Sequence, residues 1–416
     1  MNPPLQTAPC GPGVTRHFFD AGLESWCASV EGATDYWTGA LARSATPIEL
    51  GNDLLRWLEL TTRRRPPRWH SANRVAQRSD IALLRDFSNR SRAAVKPTLV
   101  LPPQAGHHSC VVDYSGEQSQ IQVIRSAGLE RVFVLEWLEA TQKTKDAGID
   151  DYIAVIDRAL ERIGEPVNLI GDCQGGWLAT IYAALRPERV NTLTIAGAPI
   201  DFHAGEAVIG DYVDLIEGAG DLDFYRALVA LGGGVLKGEL MLGGFLAIKP
   251  ENEIAKQMQL LAHLDDAKHV ERYQALEDWF KNTHDIAGAF YLWIVERLFR
   301  DNALIGGELE VGGERVDLGR IACPLNLLAG AADHITPPAQ VFALERAAST
   351  PGSAVTKRTT SGGHLGLFMG RTALRDHWPL LMADVLEHSR ARAKRDSSVR
   401  RARVRTPARR RPIPLP

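Results

Sequence analysis

A mostly parallel α/β sheet flanked by helices, carrying a long helical insertion, is the fold this sequence predicts. Three observations predict it. Short apolar runs alternate with helical patterns from residue 98 onward. One of those runs, ending at "NLIG", enters a Gly-flanked turn and leaves as an Ala/Leu-rich helix. And between the fourth and fifth runs lie roughly 120 residues of largely helical pattern, too many for one crossover between parallel strands.

Taken in order, residues 1–15 are Pro/Gly-rich and are expected to be disordered. Residues 16–62 place Phe, Leu and Trp at three- and four-residue spacings, which predicts one or two amphipathic helices. "RRRPPRWHSANR" then breaks the pattern, so 16–92 is expected to be a helical appendage. Such an appendage either packs on the main domain or offers a face to a partner subunit or an apolar polymer surface. The core is expected over 93–389, with strands at 98–103, 131–137, 167–171, 191–197, 324–330 and 354–360. The helix over 149–164 shows Ile and Leu on one face and acids in its first turn. The stretch from about 200 to 320 is the expected cap insertion, ending in a short hairpin turned by Gly312-Gly313.

Composition narrows the function classes. Hydrophobic residues at 45% and charged residues at 24% are ordinary for a globular protein, and no apolar run approaches the roughly 18–20 residues of a membrane span. The first residues lack the basic-then-apolar layout of a secretory signal. Five cysteines, at 10, 27, 110, 173 and 323, form no C-x-x-C pair and no framework spacing, so a reducing cytoplasm is expected. The net charge of −2 hides an asymmetry: residues 390–416 hold eleven Lys/Arg and one acid, so the remainder carries −12. That basic tail is expected to be disordered, and is either simply solvated or drawn to anionic surfaces or nucleic acid.

The chemistry centres on "GDCQGG". Gly171 and Gly175 flank Cys173 at a strand-to-helix turn, the setting of the G-x-S-x-G nucleophile elbow of the α/β-hydrolase fold. The helix starting near Gln174 favours an anion at its N-terminus, and the Gln174 backbone N–H is an expected oxyanion donor. An elbow fold orders its partners nucleophile, acid, histidine along the chain. "LNLLAGAADHITPP" puts Asp333 just past one predicted strand, and "VTKRTTSGGHLGLF" puts His364 just past the next. Asp333 orienting His364, which activates Cys173, is therefore the expected catalytic set, with His334 as a competing base or a substrate-pocket group. The second oxyanion donor is expected from the loop "LPPQAGHHSCVVDYS", where Pro102 and Pro103 have no N–H and Gln104 or Ala105 remains. His107 and His108 lack acidic or cysteine neighbours at metal spacing, so no metal is expected. No phosphate-binding or dinucleotide fingerprint is present, and no cofactor is expected.

Sulfur at an elbow has a thermodynamic meaning. An acyl group on Cys173 is a thioester, close in transfer potential to an acyl-CoA, so loading is roughly reversible and the energy stays available for a second transfer.

"GDCQGG", "LAGAADHITPP" and "GGHLGLF" resemble the three catalytic motifs of the polyhydroxyalkanoate synthases, the PhaC family. The resemblance extends over "TLVLPPQAGHHSCVVDYS" and the segment leading to Asp333, covering roughly 95–385. It implies an acyltransferase whose substrate is a 3-hydroxyacyl-CoA and whose product is a polyester on a cytoplasmic granule. Cys173 is similar to the acyl-carrying nucleophile, His364 to the base and Asp333 to the acid. The short elbow leans toward the two-subunit synthases, so a partner subunit or a homodimer is left open. Two departures are visible: Trp177 stands where the family has a small residue, narrowing the expected acyl channel, and Gly106-His107-His108 replaces an Asn-Lys-aromatic pattern. A thiol hydrolase of the same fold, either an intracellular depolymerase or a thioesterase, is the alternative, and a non-catalytic granule protein is the third reading.

Overall fold

The computed structural model describes residues 12–89, 95–207, 222–248 and 250–389. The expectations for residues 1–11 and for the basic tail 390–416 lie outside these residues. The described part divides into two compact units.

The first unit comprises residues up to 68, 106–108 and 236–285, and is helical. Helix α1 spans Pro12–Ala42 and α2 spans Pro47–Thr62. Of the segment 1–15 expected to be disordered, residues 12–15 are helical, since α1 begins at Pro12, a residue whose fixed φ suits the first helical position. Helix α2 opens with a capping box: the Glu49 N–H donates to the Thr46 hydroxyl at 3.3 Å, and the Thr46 N–H donates to the Glu49 carboxylate at 2.7 Å. Leu60 of α2 packs with Leu260, Leu264, Val270 and Tyr273 from the helices Pro250–Ala262 and Ala267–Phe280 and the turn between them. Beside this core Lys256 and Lys281 both pair with the buried Glu277.

The second unit, residues 69–105, 109–235 and from 286 on, holds the sheet. Its strands are β1 Arg74–Arg78, β2 Ala82–Asp86, β3 Thr98–Leu101, β4 Val132–Trp137, β5 Val167–Asp172, β6 Val190–Ala196, β7 Leu325–Gly330 and β8 Val355–Thr360. They lie in the order β1-β2-β4-β3-β5-β6-β7-β8. Pairings from β4 through β8 are parallel, while β1–β2 and β2–β4 are antiparallel. Strands β3, β5, β6 and β7 are buried along their whole length, as strands covered on both faces must be. Helices α3 Gln120–Ser126, α4 Ile149–Ile163 and α5 Gln174–Leu185 cross between parallel strands. Helix α4 carries Asp150 and Asp151 in its first turn and stops at Gly164, which takes a left-handed φ of 83°.

Two boundaries differ from expectation. The helical appendage does not run to 92: β1 and β2 belong to the sheet, and the sheet unit begins at Trp69. Strand β1 reads Arg-Val-Ala-Gln-Arg and sits at the sheet edge, so it lacks the apolar run that reveals a buried strand. The insertion expected over 200–320 is divided. Its helices from Gly238 to Phe280 cluster with α1 and α2, whereas 222–235 and 286–320 cluster with the sheet. The hairpin at Gly312-Gly313 forms between Glu310–Val311 and Glu314–Arg315. Among the described residues no helix is long and apolar enough to cross a membrane.

Candidate active site

Strand β5 ends at Asp172 and α5 starts at Gln174, leaving Cys173 alone at the turn with φ 51° and ψ −119°. A non-glycine residue at positive φ is strained, and the surroundings must hold it there. One restraint is visible: the Cys173 N–H donates to Ala196 O of β6 at 2.8 Å. Crowding supplies the rest. A Cβ on Gly171 would stand 2.3 Å from Gly175 O, and one on Gly175 would stand 1.9 Å from Leu101 O. The elbow therefore lies hard against the end of β3, where the Pro102-Pro103-Gln104 loop begins. Gly175→Ala is expected to cost about 3 kcal/mol or more, because the clash is with backbone and not with a movable side chain; urea unfolding measures it.

The acid and the histidine leave from β7 and β8, whose parallel ends share one sheet edge with β5. Asp333 and His364 meet there, with His364 Nδ1 2.8 Å from Asp333 Oδ2. Facing a carboxylate, Nδ1 carries the proton and donates it, which leaves Nε2 for the reacting group. The Asp333 side chain is fully buried and that of His364 is 9% exposed, so the pair is shielded from solvent. Burial works against the carboxylate charge. His364, the Thr336 backbone N–H and the Thr336 hydroxyl outweigh it and hold Asp333 below the ordinary carboxyl range. For His364, burial would lower the pKa, but the Cys173 sulfur and the Asp333 carboxylate together raise it well above its usual value. Cys173 is thus within hydrogen-bonding reach of the ring that Asp333 orients.

Thr336 is the member sequence reasoning missed. Its hydroxyl lies 2.9 Å from Gly197 O, 2.9 Å from Asp333 Oδ2 and 3.0 Å from His364 Nδ1. One hydroxyl proton serves either oxygen, while toward Nδ1–H the Thr336 oxygen can only accept. The signal was present in "DHIT": an acid followed three residues later by Thr makes a local turn, and the N–H groups of Ile335 and Thr336 both donate to Asp333 Oδ1 at 2.9 Å. Thr336→Val is expected to lower kcat/KM about tenfold by leaving the pair underbonded, and Thr336→Ser to restore it; steady-state kinetics on both variants tests this.

Asp172, next to Cys173, is wholly buried. Gln120 Nε2 donates to Asp172 Oδ1 at 3.1 Å, while Asp172 Oδ2 and Gln120 Oε1 are buried without a partner among the described residues. Burial pushes the Asp172 carboxyl up to about 8, against weaker opposing effects of Gln120 and His364.

The remaining expected site residues divide. Gln174 opens α5, whose first N–H groups have no acceptor within the helix. Gln104 is buried in the loop after β3, which Gly175 touches at Leu101 and Pro102, and Ala105 follows it. His334 is exposed, and it is His364 that meets Asp333. His107 stacks on Phe280 and its Nε2 lies 2.9 Å from Phe280 O, while the His108 carbonyl accepts from Trp279 Nε1 at 2.7 Å. Among the described residues no three His, Cys, Asp or Glu side chains gather as a metal site. Trp177 is a core residue, 2% exposed and set among Phe290 and Trp293, so its bulk fills the interior behind the elbow.

A mostly parallel eight-stranded sheet with a nucleophile elbow after its fifth strand, followed in chain order by an acid and a histidine after later strands, defines the α/β-hydrolase fold. Within that fold the chain belongs to the family described as "Protein of unknown function (DUF3141)", whose model matches residues 80–382. It is also similar to the poly(3-hydroxyalkanoate) polymerase subunit PhaC of Allochromatium vinosum, at 28% identity over 65% of this chain and 75% of that one. The PhaC subunit of Haloferax mediterranei is likewise 28% identical over 65% of this chain, which spans only 54% of that protein. A crystal structure of a Paleococcus ferrophilus monoacylglycerol lipase aligns with TM-score 0.47 and 17% identity, over 74% of this chain and 99% of the lipase.

Proposed function

We propose that the chain is a polyhydroxyalkanoate-synthase-like acyltransferase that moves 3-hydroxyacyl groups from CoA thioesters through Cys173. One observation carries the reading: a cysteine on a nucleophile elbow lies beside a histidine that a buried aspartate orients. The naming of the PhaC relatives supports the substrate class.

The Cys173 sulfur attacks the thioester carbonyl carbon, its proton passing to His364 Nε2. The carbonyl oxygen becomes an oxyanion, for which the Gln174 N–H and the N–H of Gln104 or Ala105 are the donors. Collapse breaks the bond to the CoA sulfur, which leaves with the proton from His364. The acyl group is then a thioester on Cys173. A hydroxyl, the 3-hydroxy end of a growing chain, attacks next, giving its proton to His364 as the new ester forms and Cys173 is released. Asp333 holds the ring and balances its charge while it is doubly protonated. No metal or cofactor is needed for any step.

The test is incubation of the purified chain with 3-hydroxybutyryl-CoA, following thiol release and the acyl group separately. Polyester, dependent on Cys173, is the expected result. Thiol release with free hydroxy acid alone would replace this reading with the thiol hydrolase. Neither product with short or longer 3-hydroxyacyl-CoA thioesters would sink both.

A further inference from the structure

Helix α1 buries its small residues and exposes its large ones. The side packed on the helix Pro250–Ala262 presents Ala28, Gly32, Ala33, Tyr36 and Ala40, and the fit is close enough that a Cβ on Gly32 would stand 2.4 Å from Met258 Cβ. Meanwhile Leu23 is 55% exposed, Trp26 68%, Val30 47%, Trp37 53% and Leu41 77%. At about 100° per residue these five lie within roughly 60° of one another, a single straight stripe. This is a face built to be covered, since a monomer rarely leaves two tryptophans and their aliphatic neighbours in water.

The spacing says by what. From Trp26 through Val30 and Trp37 to Leu41 the intervals are four, seven and four residues, the same in either direction. A stripe that reads identically when reversed complements a second copy of itself running antiparallel. About a two-fold axis between Ala33 and Thr34, Trp26 meets Leu41 of the other copy and Val30 meets Trp37. Thr34, the small exposed residue beside the axis, lets the helices approach closely. Charge argues against a lipid surface. Between Gly22 and Ala42 stand Glu24, Glu31 and Asp35, with no Lys or Arg, whereas an anionic surface selects helices with Lys and Arg on the polar face. The exposed parts of the five side chains amount to roughly 600 Å² per copy, close to the about 800 Å² per partner of a stable dimer. Exposed Ile48, Leu54, Leu55 and Leu58 of α2 are available to extend it.

We infer that the outer stripe of α1 is a self-association surface on which two copies of this chain pair antiparallel about Ala33–Thr34. Sedimentation equilibrium of the full chain tests the association, and a bismaleimide linker of about 8 Å tests the register in a Cys27→Ser background. The wild-type chain is expected to be a dimer at micromolar concentration. Trp26→Glu with Trp37→Glu is expected to weaken it at least 100-fold with helix content unchanged, both side chains being outside the core. Thr34→Cys is expected to cross-link to its copy at a helix spacing of about 8–10 Å. Leu23→Cys is not, because its copies stand about 30 Å apart along the axis. A monomer at all concentrations overturns the inference, including one that floats with phosphatidylserine vesicles, which would give the stripe to a lipid surface. So does a dimer indifferent to the two Glu substitutions, or equal cross-linking at positions 23 and 34, which would mean a parallel pair.

Discussion

Replacing Cys173 with alanine is expected to reduce CoA release from 3-hydroxybutyryl-CoA by at least about 10⁴-fold, and serine to recover little of it. The serine result is the more informative. Isosteric Cys173→Ser keeps the elbow, the Ala196 restraint and the helix N-terminus, and changes only the reacting atom. Burial lowers the His364 pKa, and the Cys173 sulfur and the Asp333 carboxylate together raise it well above its usual value. In the serine variant the ring loses the sulfur it is matched to and must take its proton from an intrinsically less acidic hydroxyl. The acyl intermediate would also become an oxygen ester, and transfer onward to another hydroxyl would no longer be supported by thioester energy. Thiol release measures the first step, and mass spectrometry of the peptide holding position 173 measures the acyl adduct. Serine activity within tenfold of wild type would remove the case for sulfur.

How far the site could be read before the structure depended on whether the signal was local. Strands β3 to β8 are continuous apolar runs or end in diagnostic loops, and the elbow is compressed into six residues. Chain order then placed Asp333 and His364 without any knowledge of the pairing they make at 2.8 Å. What stayed hidden is what depends on distant neighbours. Strand β1 is polar and is held in the sheet by pairing with β2, not by an apolar face. Thr336 matters because Gly197 arrives from β6 and His364 from beyond β8, partners 139 and 28 residues away. Trp177 pointed to a narrowed channel only while the aromatic residues it packs against, more than 100 positions later, were unknown. Helix α1 shows the reverse case: its periodicity was plain, but which of two stripes faced inward was not, since small residues carry little hydropathy signal.

Asp172→Asn is expected to stabilise the chain at neutral and alkaline pH, on the order of 4 kcal/mol at pH 7. Folding raises this carboxyl from its ordinary 3.8 to about 8, chiefly by burial. Between those values the folded protein binds a proton that the unfolded chain has released, so stability falls as pH rises through that window. The loss is complete only above the folded value. The structure also shows why the neutral acid is the favoured form. Gln120 Nε2 already donates to Asp172 Oδ1, and the two atoms left over, Asp172 Oδ2 and Gln120 Oε1, are both acceptors while the acid is ionised. A proton on Asp172 gives this acid–amide pair the second donor it lacks. Asparagine carries that donor permanently as an N–H, and has no charge to desolvate. Denaturant unfolding from pH 5 to pH 8.5 should therefore show a falling stability for the wild-type chain that is largely flattened in Asp172→Asn. Parallel curves for the two proteins would mean that Asp172 ionises in place, and that an anion sits one residue from Cys173 at neutral pH.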